Sequence, residues 1–283
     1  MSNIGVAFGL NVAFTLIELV GGYLTNSMAI MADALHDLGD SISLGSALFL
    51  EKIAGKKRDR NFSYGYRRFS LLAAVINGLV LTGGSIYIIT ETATRLANPQ
   101  ESHAPGMIGL ALLGIIFNGL GALRLRSGNT MNERLLTWHF IEDILGWVAV
   151  LIAGVVMLFI HIPILDPILA MAFTIFILWN VLKNSRQTLM IFLQSVPASL
   201  NVGAIEKEIT ELPEIHSVHD THVWSLDGAY HVLTTHAVIA DRVPDDRIMG
   251  IKRKVREIIH THKVEHATIE VEREDEQCHL KNC

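Results

Sequence analysis

The sequence predicts a membrane all-α body, a bundle of six transmembrane helices, followed by a C-terminal α+β domain of order α-β-β-α-β. Three observations predict it. Half of the 283 residues are hydrophobic, a share that soluble domains seldom reach. Apolar runs long enough to cross a bilayer recur up to about Leu193 and then stop. Beyond that point most of the acidic residues appear, and the hydrophobic pattern turns into short amphipathic helices and alternating strands.

A helix of about 20 residues crosses a hydrocarbon core of about 30 Å. Six runs meet that length: Ile4 to Tyr23, Met28 to Leu50, Phe69 to Thr92, Met107 to Leu125, Leu135 to Ile160 and Ile164 to Leu182. The first has no basic flank or small-residue cleavage site, so it reads as a retained span rather than a signal peptide. Basic residues alternate between the connections. Lys52, Lys56, Lys57, Arg58, Arg60, Arg67 and Arg68 lie between spans two and three, Arg124, Arg126 and Arg134 between four and five, and Lys183 and Arg186 after six. Against these twelve, Arg95 stands alone on the other side. The positive-inside rule then predicts a multi-pass protein of the cell inner membrane with both termini in the cytoplasm.

The C-terminal part reads as follows. "VGAIEKEITEL" is an amphipathic helix, and "IHSVHDTHVWSL" and "AYHVLTTHAVIA" are strands around Asp227-Gly228, a two-residue hairpin signal. "PDDRIMGIKRKVREIIHTH" is a second helix and "ATIEVE" a last strand. With Pro197 and Ser199 marking the linker, the expected domains are a transmembrane body over 1–194 and a cytoplasmic domain over 195–283.

Several function classes are excluded. The formal charge of -5, with the one strongly basic stretch set between apolar spans, argues against nucleic acid. No GxxxxGK[ST] loop is present, so ATP is not the expected energy source. The two cysteines, Cys278 and Cys283, sit in the last six residues, so no disulfide framework holds the fold and a reducing compartment is expected.

Two motifs place a histidine four residues before an aspartate inside apolar spans: His36 and Asp40 in "ALHDLGDSIS", His139 and Asp143 in "TWHFIEDILG". Residues i and i+4 share a helix face with Cβ atoms about 6 Å apart, so each pair can grip one ion. Spans two and five run in opposite directions, and a rise of 1.5 Å per residue puts Asp40 and Asp143 both roughly 15 Å from the cytoplasmic ends. The pairs can therefore meet. Two imidazoles and two carboxylates form a tetrahedral N₂O₂ set that suits Zn²⁺, and two aspartates neutralise it at membrane depth. Protons compete for the same lone pairs, which makes metal/proton antiport the natural mechanism. A histidine that merely caps its own aspartate and a proton relay without metal use the same residues. Asn11, Glu18, Asn77 and Asn118 read as polar contacts between helices. Asp33 and Asp37 point away from the clamp, and Glu142, beside Asp143, reads as solvated or salt-bridged before it reads as a proton acceptor.

Nine of the thirteen histidines fall from His216 onward. With a two-residue turn at Asp227-Gly228, His219 faces His236 on one side of the hairpin, close enough to share a metal. The same register sets His222 opposite Leu233 and His231 opposite Trp224, which look like packing residues. His266 and Glu272 could complete the ligands if the last strand lies beside the hairpin. Cys278, His279 and Cys283 are spaced for zinc in a terminal segment.

These motifs, with "YLTNSMAIMADALHDLGD", "FSYGYRR", "VHDTHVWSL" and "HATIEVE" in order along nearly the whole chain, resemble the zinc-transporting branch of the cation diffusion facilitator family of divalent-metal/proton antiporters. The resemblance implies a homodimer that exports Zn²⁺, or the chemically related Cd²⁺, Co²⁺ or Ni²⁺, in exchange for protons by alternating access. It implies no enzymatic activity, and a ferredoxin-like, metallochaperone-like fold for the cytoplasmic domain, where zinc binding tightens the dimer. It places the transport site on His36, Asp40, His139 and Asp143, and the cytoplasmic ligands on His219, His236, His266 and Glu272. Phe62 and Tyr66 stand where some relatives carry loop histidines, so no metal site is expected there. The alternatives are a non-transporting membrane zinc sensor and an intramembrane zinc enzyme, although four protein ligands leave no open position for a catalytic water.

Overall fold

The computed structural model describes residues 3–125, 131–240, 243–276 and 278. Six long helices come first: α1 (Asn3–Thr25), α2 (Met28–Ala54), α3 (Phe69–Ala97), α4 (Ala104–Leu125), α5 (Met131–Phe159) and α6 (Leu165–Phe192). Five of them, all but α2, contain stretches long and apolar enough to cross a membrane. α2 has the length, 27 residues, but its first half carries Asp33, His36, Asp37 and Asp40. These polar residues lower its hydropathy.

The chain divides into two compact units, one of 1–55 and 72–185, the other of 56–71 and 186–283. In the helical unit, Phe14, Ile30, Met107, Trp147 and Val150 are buried together. Trp147 covers Gly114, where an added Cβ would stand 2.3 Å from the indole. Only glycine lets α4 and α5 close to this distance, the small-residue packing that membrane helices use in place of a hydrophobic driving force. Asp166 of α6 is fully buried and accepts hydrogen bonds from Ser27 Oγ (2.5 Å), Met28 N–H (2.7 Å), Ala29 N–H (3.2 Å) and Ser102 Oγ (3.2 Å). A carboxylate there satisfies the orphan donors at the start of α2 and complements its dipole.

The second unit holds α7 (Val202–Thr210), β1 (Ile215–Ser225), β2 (His231–Ile239), α8 (Asp245–Thr261) and β3 (His266–Arg273). Asn201 caps α7 by accepting from the Ala204 N–H at 3.1 Å. The sheet order is β1-β2-β3, with β1 antiparallel to β2 and β3 parallel to it after the α8 crossover. Ile205 and Ile209 of α7 and Ile251, Val255 and Ile259 of α8 pack on Val223, Leu233, Ala237 and Ile239. Side chains alternate along a strand, so His236 falls on the sheet face opposite these helices.

The hairpin differs from the two-residue turn read in the sequence. Five residues, Leu226 to Tyr230, connect Ser225 to its partner His231. Asp227 Oδ1 accepts from the Ala229 and Tyr230 N–H groups, at 2.9 and 2.7 Å, and Gly228 takes φ +94°, so the aspartate builds its own turn. The wider loop shifts the register, and His222 faces Thr234 and Trp224 faces Val232. A β-bulge then sets Asp220 and Thr221 against Thr235 alone, with Asp220 at φ +49°, and restores the pairing of His219 with His236.

The segment between α2 and α3 belongs to this second unit and is ordered by Asp59. Its carboxylate accepts from the Asn61 and Phe62 N–H groups and from the Tyr66 hydroxyl, at 2.8, 2.9 and 2.7 Å. The Tyr66 hydroxyl and the two N–H groups hold Asp59 below the usual carboxylate range, and the same bond raises the Tyr66 phenol. Phe62 and Tyr66 pack ring to ring at 4.4 Å. Arg67 reaches Asp227 at 3.3 Å and lies over the Tyr230 ring at 4.4 Å.

Candidate metal centre

In the helical unit the two His-Asp pairs meet. Asp40 and Asp143 each lie roughly 18–24 Å from both ends of their helices, so neither reaches the polar termini. His139 Nε2 is 3.1 Å from Asp40 Oδ2 and 3.6 Å from Asp143 Oδ2. His36 Nε2 is 3.6 Å from Asp40 Oδ2 and 4.0 Å from Asp143 Oδ1. Ligand atoms around a tetrahedral Zn²⁺ stand about 3.3 Å apart. Both His139 contacts and the His36–Asp40 contact lie within a few tenths of an ångström of that spacing, whereas Asp143 stands wider of His36, at 4.0 Å, and outside the compact set formed by His36, Asp40 and His139. The imidazoles meet edge to face with centroids 5.8 Å apart, so their nitrogens converge instead of stacking. Asp143 is nearly sealed, its side chain 4% exposed, whereas His36 keeps 34% of its side chain accessible. Glu142, three residues on from His139, is exposed.

A second acidic layer lies beside this cluster. Glu18 of α1 is fully buried, Asp37 nearly so, and their carboxyls face one another. Two carboxyls buried face to face are costly, which is itself a functional signal at membrane depth. In the sequence Glu18 reads only as a helix-helix contact, and Asp37 only as a residue aimed away from the clamp. Asp166 carries no such signal in the sequence, because a single acid opening a helix looks like an ordinary first-turn residue.

On the open face of the sheet, His219 and His236 lie with ring centroids 5.2 Å apart. Glu272 closes on both: Oε1 is 2.5 Å from His236 Nδ1, and Oε2 is 3.5 Å from His219 Nε2. Burial opposes ionisation of Glu272, but hydrogen bonds from Cys278 and His236 and the charges of His236 and His219 outweigh it and hold the carboxyl below its usual range. An ionised carboxylate is the form a metal needs.

His266 does not join them. It opens β3 opposite Val232, whereas Glu272 lies opposite Val238, and six residues of strand separate the two by about 20 Å. The His266 ring instead meets Tyr64 at 5.6 Å. Because β3 runs parallel to β2, its beginning lies at the turn end of the hairpin and only its last residues reach His236. His222, exposed, contacts Asp220 at 2.8 Å, and His231 is buried beneath the turn. His279 and Cys283 lie outside the described residues, and Cys278 sits beside His219 with 3.3 Å between sulfur and Nε2.

Residues 4–193 match the cation efflux transmembrane domain, and residues 197–274 match the cation efflux protein cytoplasmic domain. Among similar proteins, a cadmium, cobalt and zinc/H(+)-K(+) antiporter of Bacillus subtilis (strain 168) is 34% identical over 95% of this chain and 88% of its own length. The metal cation efflux system protein CzcD of Cupriavidus metallidurans is 32% identical over 94% of this chain and 85% of its own. The zinc transporter ZitB of Escherichia coli (strain K12) is 30% identical over 98% of this chain and 88% of its own. With both of its units matched in order, the chain belongs to the cation efflux, or cation diffusion facilitator, family of membrane cation transporters.

Proposed function

We propose that this chain is a secondary transporter that exports Zn²⁺ from the cytoplasm in exchange for protons, with Cd²⁺ and Co²⁺ as related substrates. The meeting of His36, Asp40 and His139 in one compact set, with Asp143 3.6 Å from His139 and 4.0 Å from His36, carries this reading. Zn²⁺ bound to two imidazoles and two carboxylates forms a neutral complex, which lowers the penalty for charge inside the membrane. A proton on either imidazole removes a ligand and adds a charge. At about 4 Å and an effective dielectric of about 20, an imidazolium repels Zn²⁺ by about 8 kcal/mol. Protonated histidines and metal therefore exclude each other, which couples the two fluxes without nucleotide or enzymatic chemistry.

Zinc, which the names of the Bacillus subtilis and Escherichia coli relatives share, and the N₂O₂ donor set support zinc as the principal cargo. The charge distribution of the connections supports an inner-membrane protein with cytoplasmic termini. In this reading residues 1–194 form the transport body, and residues 195–283 form a cytoplasmic regulatory domain that binds Zn²⁺ at His219, His236 and Glu272 and joins two copies in a homodimer. The test is Asp40→Ala in proteoliposomes carrying an internal pH dye. Loss of zinc-dependent proton flux is expected, and retained flux would sink the assignment.

A further inference from the structure

A sulfur atom completes the polar cluster on the sheet. After β3 ends at Arg273 the chain turns back on itself. The Arg273 N–H donates to the Glu276 carboxylate (3.0 Å), the Glu276 N–H to the Arg273 carbonyl (3.1 Å), and the Cys278 N–H to the Glu276 carbonyl (3.1 Å). The Arg273 guanidinium anchors the turn on the Val243 carbonyl at 3.3 Å and on the Asp245 carboxylate. Cys278 is thereby returned to the face it would otherwise leave. Its Sγ stands 3.3 Å from His219 Nε2 and 3.6 Å from His236 Nδ1.

One ligand atom from each of His219, His236, Glu272 and Cys278 lies within 4.8 Å of the others. Sulfur and nitrogen ligands on a tetrahedral Zn²⁺, with bonds of about 2.3 and 2.0 Å, stand about 3.6 Å apart. Both sulfur distances lie close to that value. The other ring nitrogen of His236, Nε2, faces two carboxylates at 3.6 Å, Asp220 Oδ2 and Glu270 Oε2. His236 and Glu272 are buried, 8% and 6% exposed, and Cys278 is half-buried.

We propose that Cys278 supplies a thiolate to a four-ligand His₂CysGlu centre that takes borderline-soft divalent cations, Zn²⁺, Cd²⁺ and Co²⁺, in preference to Mg²⁺, Ca²⁺ or Mn²⁺. This rests on the reading of His219, His236 and Glu272 as a second metal site. The thiolate makes the centre chemically unlike the N₂O₂ cluster in the helices, because sulfur favours softer ions that oxygen ligands bind less selectively. It also gives the metal a mechanical role. Binding fastens Cys278, and the turn that carries it, to the strands that hold His219, His236 and Glu272.

The test is titration of the full-length protein in detergent with Co²⁺, reading the near-ultraviolet sulfur-to-cobalt charge-transfer band, which the sulfur-free helical cluster does not produce. The band is expected in the wild type and in Cys283→Ser, and expected to vanish in Cys278→Ser. Cd²⁺ binding at the sheet should weaken in Cys278→Ser by about tenfold or more, the range seen when support for a metal is removed. Circular dichroism and size-exclusion profiles of the metal-free variants check folding. A band absent from the wild type, or surviving in Cys278→Ser, overturns the proposal. Bound Co²⁺ per chain in His219→Ala separates the two readings: a fall of one ion, where the wild type itself shows no sulfur band, keeps the sheet site and removes the thiolate, whereas an unchanged ion count removes the sheet site itself.

Discussion

Replacing Asp143 with asparagine tests the transport site at its most enclosed ligand. The side chain keeps its shape but loses its charge, and with Zn²⁺ bound the cluster changes from neutral to singly positive. Asp143 stands 4.0 Å from His36 Nε2 and 3.6 Å from His139 Nε2, and at 4% side-chain exposure little water can replace it. Removing one partner of such a buried charged cluster costs about 3–5 kcal/mol. At 1.4 kcal/mol per decade that is roughly two to four decades in metal affinity. The assay is zinc uptake into proteoliposomes under an imposed pH gradient, followed over external zinc concentration and paired with Glu142→Gln. Glu142 is the next residue along α5 but, unlike Asp143, is exposed. Asp143→Asn is expected to raise half-saturation by at least about a hundredfold, while Glu142→Gln leaves it unchanged. Equal effects of the two substitutions, or wild-type half-saturation in Asp143→Asn, would refute the reasoning.

Two further predictions concern stability. Asp166→Ala strips the start of α2 of its carboxylate cap and should lower thermal stability in detergent by about 2 kcal/mol, the upper end of helix-cap losses; an unchanged melting curve would show that water or Ser102 replaces the cap. Asp59 is held below the usual carboxylate range by the Tyr66 hydroxyl and the Phe62 and Asn61 N–H groups, so its contribution is fully present above an unfolded value of about 3.9 and is lost only as pH falls through the lower folded value. Hydrogen exchange at the Asn61 and Phe62 amides should therefore stay slow from pH 7 to pH 5 after correction for intrinsic rates, and Asp59→Ala should speed it at both.

The transmembrane cluster was legible because its information is local. Spacing of four residues forces His36 and Asp40 onto one face of a helix, and His139 and Asp143 likewise, whatever the rest of the chain does. Length and charge alternation then make the two helices antiparallel and level. Their meeting depends on bundle packing, but few other partners exist for polar groups at that depth. The sheet was legible only in part. His219 and His236 do pair, but through a five-residue loop and a compensating bulge, because the Asp227 carboxylate builds a wider turn than its dipeptide implies.

By itself the sequence determined the helical body, the element order of the C-terminal unit and the two His-Asp clamps, since each follows from periodicity and from the cost of polar groups in an apolar medium. Tertiary structure alone decided which distant groups share a site. Whether β3 pairs parallel or antiparallel with β2 is a non-local choice that leaves no period in the chain, yet it sets Glu272 beside His236 and carries His266 about 20 Å away. The return of Cys278 to that face and the burial of Glu18 against Asp37 are likewise matters of where the chain turns and which helices touch. Local rules fix faces, and packing fixes neighbours.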